Sequence, residues 1–285
     1  MAAGPVDWPT VCNTRDLGRY TPFVGAGTHL GWVPHDLLPQ LRGRAGFSVS
    51  NDAVVLSPTL TSVADRSDVL AHLAQEWRDE GLVPGWRDES YDVVPYAGGP
   101  VVCRMERAVT RLFGCINRGV HLNGYTRDDG QLRMWVARRS AQKATFPGLL
   151  DQMVAGGVGS GLSLDSVIRR EAQEEAGIPA GMTADLRVAS VVTMFMEHQG
   201  RIFRDVEYVY DLELPSDFVP SNADAEVSEF MQLPMAEVLR LVAQTTQFKP
   251  DCNLVILDFG IRHDLIRPGD PTYRPAVTKL REGVS

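Results

Sequence analysis

The sequence predicts an α/β fold of the α+β kind, in which helices flank a mixed sheet and a smaller α/β domain comes first. One observation is the order of segments in the second part of the chain: strand, strand, helix, strand, strand, helix. Another is the glycine- and proline-containing break at 98–100, typical of a linker. The composition agrees, because 285 residues with 44% hydrophobic and 22% charged side chains can build one large or two ordinary domains.

The first part of the chain is predicted to be a small α/β domain over residues 1–105. Its clearest element is an amphipathic helix over 62–80, because Val63, Leu70 and Trp77 recur at helical spacing and Gly81 follows as a stop. Residues 1–34 are rich in turns. The other predicted elements are a short helix over 35–42, a strand over 54–57 and a strand or turn over 91–96.

The second part, residues 106–268, contains the predicted mixed sheet, and residues 269–285 are predicted to be an extended arm. A turn at 127–130 separates the first two strands of this sheet. The predicted elements in chain order are a helix over 104–113, strands over 119–125 and 132–137, a helix over 163–176, strands over 189–195 and 203–212, and helices over 234–243 and 252–263.

Charge and cysteine usage exclude several classes of function. The net charge of −8 and the pI of about 5.3 argue against a globally basic nucleic-acid binder, although a local basic pocket is allowed. No apolar run is long enough to span a membrane, and the first residues lack the pattern of a secretory signal. The four cysteines contain no CxxC pair, so we expect reduced thiols in a cytoplasmic protein. From the charge and the hydropathy together, we expect neither nucleic-acid nor membrane partners.

The segment 156–178 carries the strongest chemical signal. A glycine-rich loop precedes a helix for which Ser163 is a good N-cap and Gly177 a good stop. On a helical wheel, Glu171 and Glu175 fall within the apolar arc and Glu174 lies at its edge. Unpaired buried carboxylates are very costly, so this pattern predicts that a cation compensates them. The alternative is a solvated helix face.

Carboxylates at this spacing favour Mg²⁺ or Mn²⁺ over zinc, because hard cations prefer oxygen ligands. Mg²⁺ commonly bridges protein carboxylates and substrate phosphates. The residues alone therefore predict a small-molecule substrate with a phosphate ester or a phosphoanhydride.

The same segment resembles the Nudix box, G-x5-E-x7-R-E-U-x-E-E-x-G-U, in which U is apolar. Gly156 matches the first glycine, and 170–178 reads R-E-A-Q-E-E-A-G-I in uninterrupted register. One position departs, because Leu162 stands where the motif has its first Glu. The resemblance implies a Nudix α/β/α sandwich and metal-dependent hydrolysis of a diphosphate.

Further segments resemble one Nudix subgroup, which carries an N-terminal domain of the DUF4743 type. This subgroup is similar to the Nudix part of a fungal thiamine pyrophosphokinase fusion and to plant plastid Nudix hydrolases. The resemblance implies hydrolysis of thiamine diphosphate, or of its oxidised analogues, to the monophosphate and phosphate. The segments that carry it are 86–89, 113–114, 119–125, 135–140, 143–148 and 150–157.

The resemblance also implies residue roles. Glu171, Glu174 and Glu175 are the expected catalytic residues and metal ligands, and Glu175 is a candidate to accept the proton of the attacking water. Glu226 resembles a late acidic ligand of Nudix domains, the alternative being a surface carboxylate. Glu207 is a weaker candidate of the same kind.

Substrate-binding residues are predicted from charge and strand alternation. Arg138, Arg139 and Lys143 form a compact basic cluster that can bind diphosphate oxygens, unless it is a solvated strand end. His121 and Asn123 alternate on one strand and so share a face, where they can recognise an organic group. The alternative for His121 is a satisfied core histidine.

Several readings of function stay open at this point. Trp86 and Trp135 can stack on an aromatic substrate or belong to the core. A hydrolase of nucleoside diphosphate derivatives such as ADP-ribose is the first alternative, and a non-catalytic ligand-binding module is the second. An isomerase that uses a diphosphate as a handle is a minor option, and a homodimer is left open.

Overall fold

A computed structural model describes residues 4–222 and 226–282 and confirms the mixed α/β fold class. Its strands are β1 (Tyr20–Gly25), β2 (Thr28–Pro34), β3 (Phe47–Val49), β4 (Val54–Leu56), β5 (Ser90–Val93), β6 (Cys103–Glu106), β7 (Ile116–Asp128), β8 (Gln131–Arg139), β9 (Leu150–Gln152), β10 (Val154–Gly157), β11 (Val188–His198), β12 (Arg201–Glu213) and β13 (Val227–Pro234). Its α-helices are α1 (Trp8–Val11), α2 (Leu38–Leu41), α3 (Val63–Asp79), α4 (Arg107–Thr110), α5 (Leu164–Ala176), α6 (Ala180–Thr183), α7 (Met235–Gln244), α8 (Pro250–Arg262) and α9 (Tyr273–Lys279).

Strands β1–β6 and helices α2–α4 form the unit called the N-terminal domain below. It contains a four-stranded sheet in the order β2-β1-β4-β3 and the hairpin β5-β6. The predicted long helix is confirmed as α3, which begins with a capping box in which Ser62 and Asp65 exchange hydrogen bonds of 3.0 Å. Its Leu70 and Trp77 are buried in the core of this domain, as their spacing predicts.

Strands β7–β13 and helices α5–α8 form the unit called the C-terminal domain. The main sheet order is β11-β12-β7-β8-β13, and β9 and β10 pair with β8 and β7. The sheet is mixed because β12 pairs with β7 in parallel while its other pairs are antiparallel. Helix α5 packs on one face, and α7 and α8 pack on the other. This layering is the α/β/α sandwich that the resemblance implies.

Several predicted elements differ from the structure. Residues 1–34, predicted to be rich in turns, contain β1 and β2, and the helix predicted over 104–113 divides into β6 and the short α4. Strands β9, β10 and β13 were not predicted. The expected extended arm contains α9, because Ala276 and Leu280 are buried against the C-terminal domain and make a helix favourable there.

The start of the described chain also packs on the C-terminal domain. Trp8 is buried in its core, and the indole Nε1–H donates to the carbonyl oxygen of Val242 at 2.7 Å. The two units are thus joined both at the chain start and at the interface described below. No helix within 4–222 or 226–282 is long and apolar enough to cross a membrane.

Candidate active site

The glycine-rich loop between β10 and α5 is held by the N-terminal domain. The backbone N–H of Ser160 donates to the carbonyl oxygen of Ser90 at 2.7 Å, and its hydroxyl donates to Asp92 Oδ1 at 2.6 Å. The N–H of Gly161 reaches Asp92 Oδ2 at 3.4 Å. Because Ser90 and Asp92 belong to β5, the conformation of this loop depends on both domains.

A cavity of about 530 Å³ lies between the two domains. Residues of β7, β10, α5 and β12 line it from the C-terminal domain, and segment 82–91 and the region of α4 line it from the N-terminal domain. Counted over the described chain, eight Lys and Arg side chains and five Asp and Glu side chains line the cavity. The cavity is therefore positively charged in a protein whose net charge is −8.

Helix α5 begins and ends as its sequence predicts. The Ser163 hydroxyl accepts the N–H of Ser166 at 3.1 Å, and the helix ends at Ala176, before Gly177. Val167 and Ala172 are buried against the sheet. This orientation turns the side of the helix that carries Glu171 and Glu175 toward the interior.

Glu175 is the most deeply buried of the three helix carboxylates. It is 5% exposed, and its Oε2 accepts the backbone N–H of Ala155 at 2.9 Å. Burial raises the pKa of Glu175 to about 8, and the nearby carboxylate of Glu171 acts in the same direction. Glu175 does not itself line the cavity.

Glu171 is the helix carboxylate that lines the cavity. Its chain packs on Gly156, where a Cβ atom would lie 2.5 Å from Glu171 Cγ, so the motif glycine leaves room for this carboxylate. Burial raises the pKa of Glu171, although Arg170 donates to its Oε1 at 2.7 Å. Glu174 is half-exposed, and Arg170 Nε lies 3.8 Å from it. Arg170 therefore contacts Glu171 more closely than Glu174.

Glu226 lies in the same cavity as Glu171, although 55 positions separate them in the sequence. The ammonium of Lys143 donates to Glu226, and Arg87 NH1 lies 3.7 Å from its other oxygen. Burial opposes ionisation of this carboxyl, but Lys143 outweighs it and lowers the pKa of Glu226. The charge of Glu226 also contributes to raising the pKa of Glu171.

The structure separates the predicted substrate-binding residues into two groups. Arg139, Lys143 and His121 line the cavity. Arg138 lies outside it, because it alternates with Arg139 on β8 and pairs instead with Glu229 of β13, at 3.2 Å. Asn123 also lies outside it: it is fully buried and donates to Asp211 at 3.0 Å.

The two tryptophans considered for stacking are likewise not among the residues that line the cavity. Trp86 packs against the core of the N-terminal domain and Trp135 against the core around α5. Both therefore belong to core packing, which was the alternative open for them.

A buried ionic cluster in the wall of the cavity was only partly predictable from the sequence. His121 Nε2 lies 3.4 Å from Glu207 and 3.9 Å from Asp251, and Lys249 Nζ lies 3.0 Å from Asp251. Burial opposes the charged imidazole, but Glu207 outweighs it and the pKa of His121 is raised to about 9. For Glu207, the alternation of residues along its strand is a sequence signal that marks it as a candidate site residue. No local signal marks Asp251 and Lys249.

Comparison with known proteins gives two domain matches. The NUDIX domain family matches residues 118–252, and a domain of unknown function, DUF4743, matches residues 6–117. Nudix hydrolase 24, chloroplastic, of Arabidopsis thaliana is 39% identical over 95% of this chain and 76% of its own length. The chain belongs to the Nudix hydrolase family. This confirms the predicted family and enzyme class, a Nudix hydrolase that acts on diphosphate bonds.

Two further relatives match a similar share of the chain. Nudix hydrolase 20, chloroplastic, of Arabidopsis thaliana is 37% identical over 95% of this chain and 75% of its own. An uncharacterised Saccharomyces cerevisiae protein, YJR142W, is 35% identical over 97% of this chain and 86% of its own. Among solved structures, DR0079 from Deinococcus radiodurans aligns with a TM-score of 0.46 at 25% identity, over 59% of this chain and 97% of that chain.

The Nudix helix carboxylates fit a divalent metal ion, which Nudix hydrolases generally use. No Lys, Arg or His in the described residues forms a direct ion pair with the buried Glu175, and the more distant charge of Lys143 does not offset the effect of burial on its pKa. Within residues 4–222 and 226–282, the carboxylate oxygens of Glu171, Glu174 and Glu175 do not all lie within 4.8 Å of one another. These side chains must therefore rotate to share one ion. Leu162, at the motif's first Glu position, is 39% exposed and does not line the cavity.

Proposed function

We propose that this Nudix hydrolase uses Mg²⁺ or Mn²⁺ to cleave a diphosphate that is attached to a planar heterocyclic group. Thiamine diphosphate and its oxidised analogues are the leading substrates, and the products are the monophosphate and phosphate. The observation that carries the proposal is the joint position of Glu171 and Glu226 in one positively charged cavity. A cytoplasmic location stays a prediction, and a homodimer stays an open possibility.

The charge of the cavity supports an anionic substrate. Lys143 and Arg139 line it beside the carboxylates, and Arg139 is oriented by Asp151, whose Oδ2 lies 2.6 Å from Arg139 NH1. A lysine supplies a localised positive charge and an arginine a planar guanidinium with several N–H donors. Together they suit the oxygens of a diphosphate. His121 also lines the cavity, where its charge is balanced by Glu207 and Asp251.

A cluster of aromatic side chains, here called the aromatic end, supports a planar organic group. Phe146, His198 and Phe203 line the cavity with ring centroids 4.8 to 5.9 Å apart. Burial lowers the pKa of His198 and so favours its neutral ring. Neutral aromatic faces stack on heterocycles and attract a cationic ring such as thiazolium.

The metal ion would be held by Glu171, Glu174 and Glu175, with Glu226 as a further ligand. When bound, such an ion supplies charge neutralisation at the diphosphate and a bound water of lowered pKa. The chain's own contribution is to place the diphosphate. Arg139 and Lys143 bind its oxygens, and the aromatic end holds the organic group.

A substrate panel tests the proposal. Thiamine diphosphate, its oxo and oxy analogues and ADP-ribose are incubated with the full chain and Mg²⁺, and released phosphate and monophosphate are quantified. We expect turnover of the thiamine diphosphate class and an at least ~100-fold loss in Glu171→Gln. Glu229→Gln is the matched control, because Glu229 is exposed and pairs with Arg138 outside the cavity.

The alternatives appear as distinct outcomes of this panel. Turnover of ADP-ribose without turnover of the thiamine diphosphate class would replace the substrate assignment. Activity that survives both Glu174→Gln and Glu175→Gln would exclude the carboxylates as metal ligands. Binding of the diphosphates without turnover by the wild-type chain would favour a non-catalytic module.

A further inference from the structure

The N-terminal domain contributes a row of arginines to the cavity. Arg87, Arg107 and Arg111 line it from this domain, facing the side that carries Glu171 and Glu226. All three fall within residues 6–117, the part that matches the domain of unknown function. The matched domain therefore forms a wall of the catalytic cavity.

Close backbone contact fixes this wall against the Nudix motif. A Cβ atom at Gly157 would lie 1.6 Å from the Tyr91 hydroxyl and 3.5 Å from Arg107 Cζ. Gly157 is adjacent to Gly156, on which Glu171 packs. The Arg107 guanidinium thus lies directly over the motif backbone, one residue from the contact that positions a catalytic carboxylate.

Arg107 and Arg87 retain donors for a ligand. In the described chain, the Arg107 guanidinium makes one hydrogen bond, from NH1 to Glu89 Oε2 at 3.0 Å, and a guanidinium has five N–H donors. Arg87 NH1 lies 3.7 Å from Glu226, beyond hydrogen-bond distance. Both side chains are about 40% exposed, whereas Arg111 is tied to the buried Asp205 at 2.6 Å.

We propose that Arg87 and Arg107 of the N-terminal domain bind the diphosphate of the substrate, so that this domain supplies half of the anion site. The inference rests on the proposed function, because it takes the diphosphate to occupy this cavity. Guanidinium forks bind phosphate oxygens in pairs, and each charge-assisted pair gives substantial affinity. Glu89 pairs with Arg107 at 3.0 Å and would compete with a bound diphosphate for it.

Binding of methylenediphosphonate, an analogue that cannot be hydrolysed, tests the inference directly. Titration calorimetry in EDTA measures its Kd for the full chain without a metal ion. We expect Arg87→Gln and Arg107→Gln each to weaken binding about tenfold. We expect Glu89→Gln to tighten it, because that change releases Arg107, and Arg107→Lys to lie between the wild type and Arg107→Gln.

Arg42→Gln is the matched control, since Arg42 is an exposed arginine of the N-terminal domain outside the cavity. If Arg107 had only a structural role, its variants would lower the melting temperature and leave the Kd unchanged. The inference is overturned if the wild type binds methylenediphosphonate and hydrolyses diphosphates while both Gln variants bind within twofold of it. Absence of both binding and hydrolysis in the wild type would overturn the proposed function and the inference together.

Discussion

Replacing Glu175 by glutamine is expected to abolish hydrolysis and to stabilise the metal-free protein at alkaline pH. The Glu175 carboxyl is 5% exposed and accepts one backbone N–H, from Ala155. Burial raises its pKa to about 8. Glutamine has nearly the same shape, keeps an acceptor oxygen for Ala155 and carries no charge at any pH.

The size of the effect follows from the shift of this pKa. The pKa of Glu175 rises from the ordinary value of 4.5 to about 8, a difference of roughly 3.5. Each pKa unit corresponds to about 1.4 kcal/mol. Between pH 4.5 and 8 the folded state keeps this proton while the unfolded state releases it, so stability falls as the pH rises. The full cost applies above pH 8. Its upper bound is about 5 kcal/mol, and structural relaxation reduces the expected value to about 2 to 4 kcal/mol.

Urea unfolding in EDTA at pH 6 and pH 8.5 measures this cost. The wild type should lose more stability than Glu175→Gln over this interval, and the difference should reach several kcal/mol at pH 8.5. Glu174→Gln is the matched control, because Glu174 is half-exposed and precedes Glu175 on the same helix. Equal pH dependence in the wild type and Glu175→Gln would refute the claim that this carboxylate is held at an energetic cost for a cation.

Three more outcomes are expected. Gly157→Ala should lower both the melting temperature and kcat, because its Cβ would meet the Tyr91 hydroxyl at 1.6 Å, and adding Tyr91→Phe should restore part of each. We expect NMR to show that His121 titrates near pH 9, because Glu207 outweighs the effect of burial on its pKa. The charged imidazole therefore stabilises the folded protein fully below pH 6.5, and this stabilisation is lost as the pH rises through 9. A titration below pH 6 would contradict this. Phe146→Ala should raise KM for thiamine diphosphate about tenfold and leave the Kd of methylenediphosphonate unchanged.

Helix α5 shows how much of the site the sequence can predict. Its caps, its length and the placement of Glu175 inside the apolar arc all follow from a 13-residue periodic pattern. Spacing within one helix fixes which side chains share a face, so the conflict between burial and charge is visible without a structure. The contact between Glu171 and Gly156 is less accessible, because it depends on how β10 packs against the helix.

The buried cluster and the domain interface could not be predicted in the same way. Glu207 approaches His121 because β12 pairs with β7 in parallel, and nothing in either strand specifies that pairing. The contacts of Asp92 with Ser160 join segments almost 70 residues apart. For Asn123, strand alternation indicates the face that it shares with His121, but it cannot show that the Asn123 amide donates to Asp211.

The acidic composition and the anionic substrate are compatible because charge is distributed unevenly. Solvent screens exposed carboxylates at the surface, whereas groups in a partly enclosed cavity interact more strongly. Among the described residues that line this cavity, Lys and Arg side chains outnumber Asp and Glu side chains by eight to five. A bound divalent ion would neutralise the carboxylates on and near α5. Part of this positive charge comes from Arg87, Arg107 and Arg111 of the N-terminal domain. Binding of a diphosphate should therefore depend on both domains, even though the proposed metal ligands all belong to the C-terminal domain.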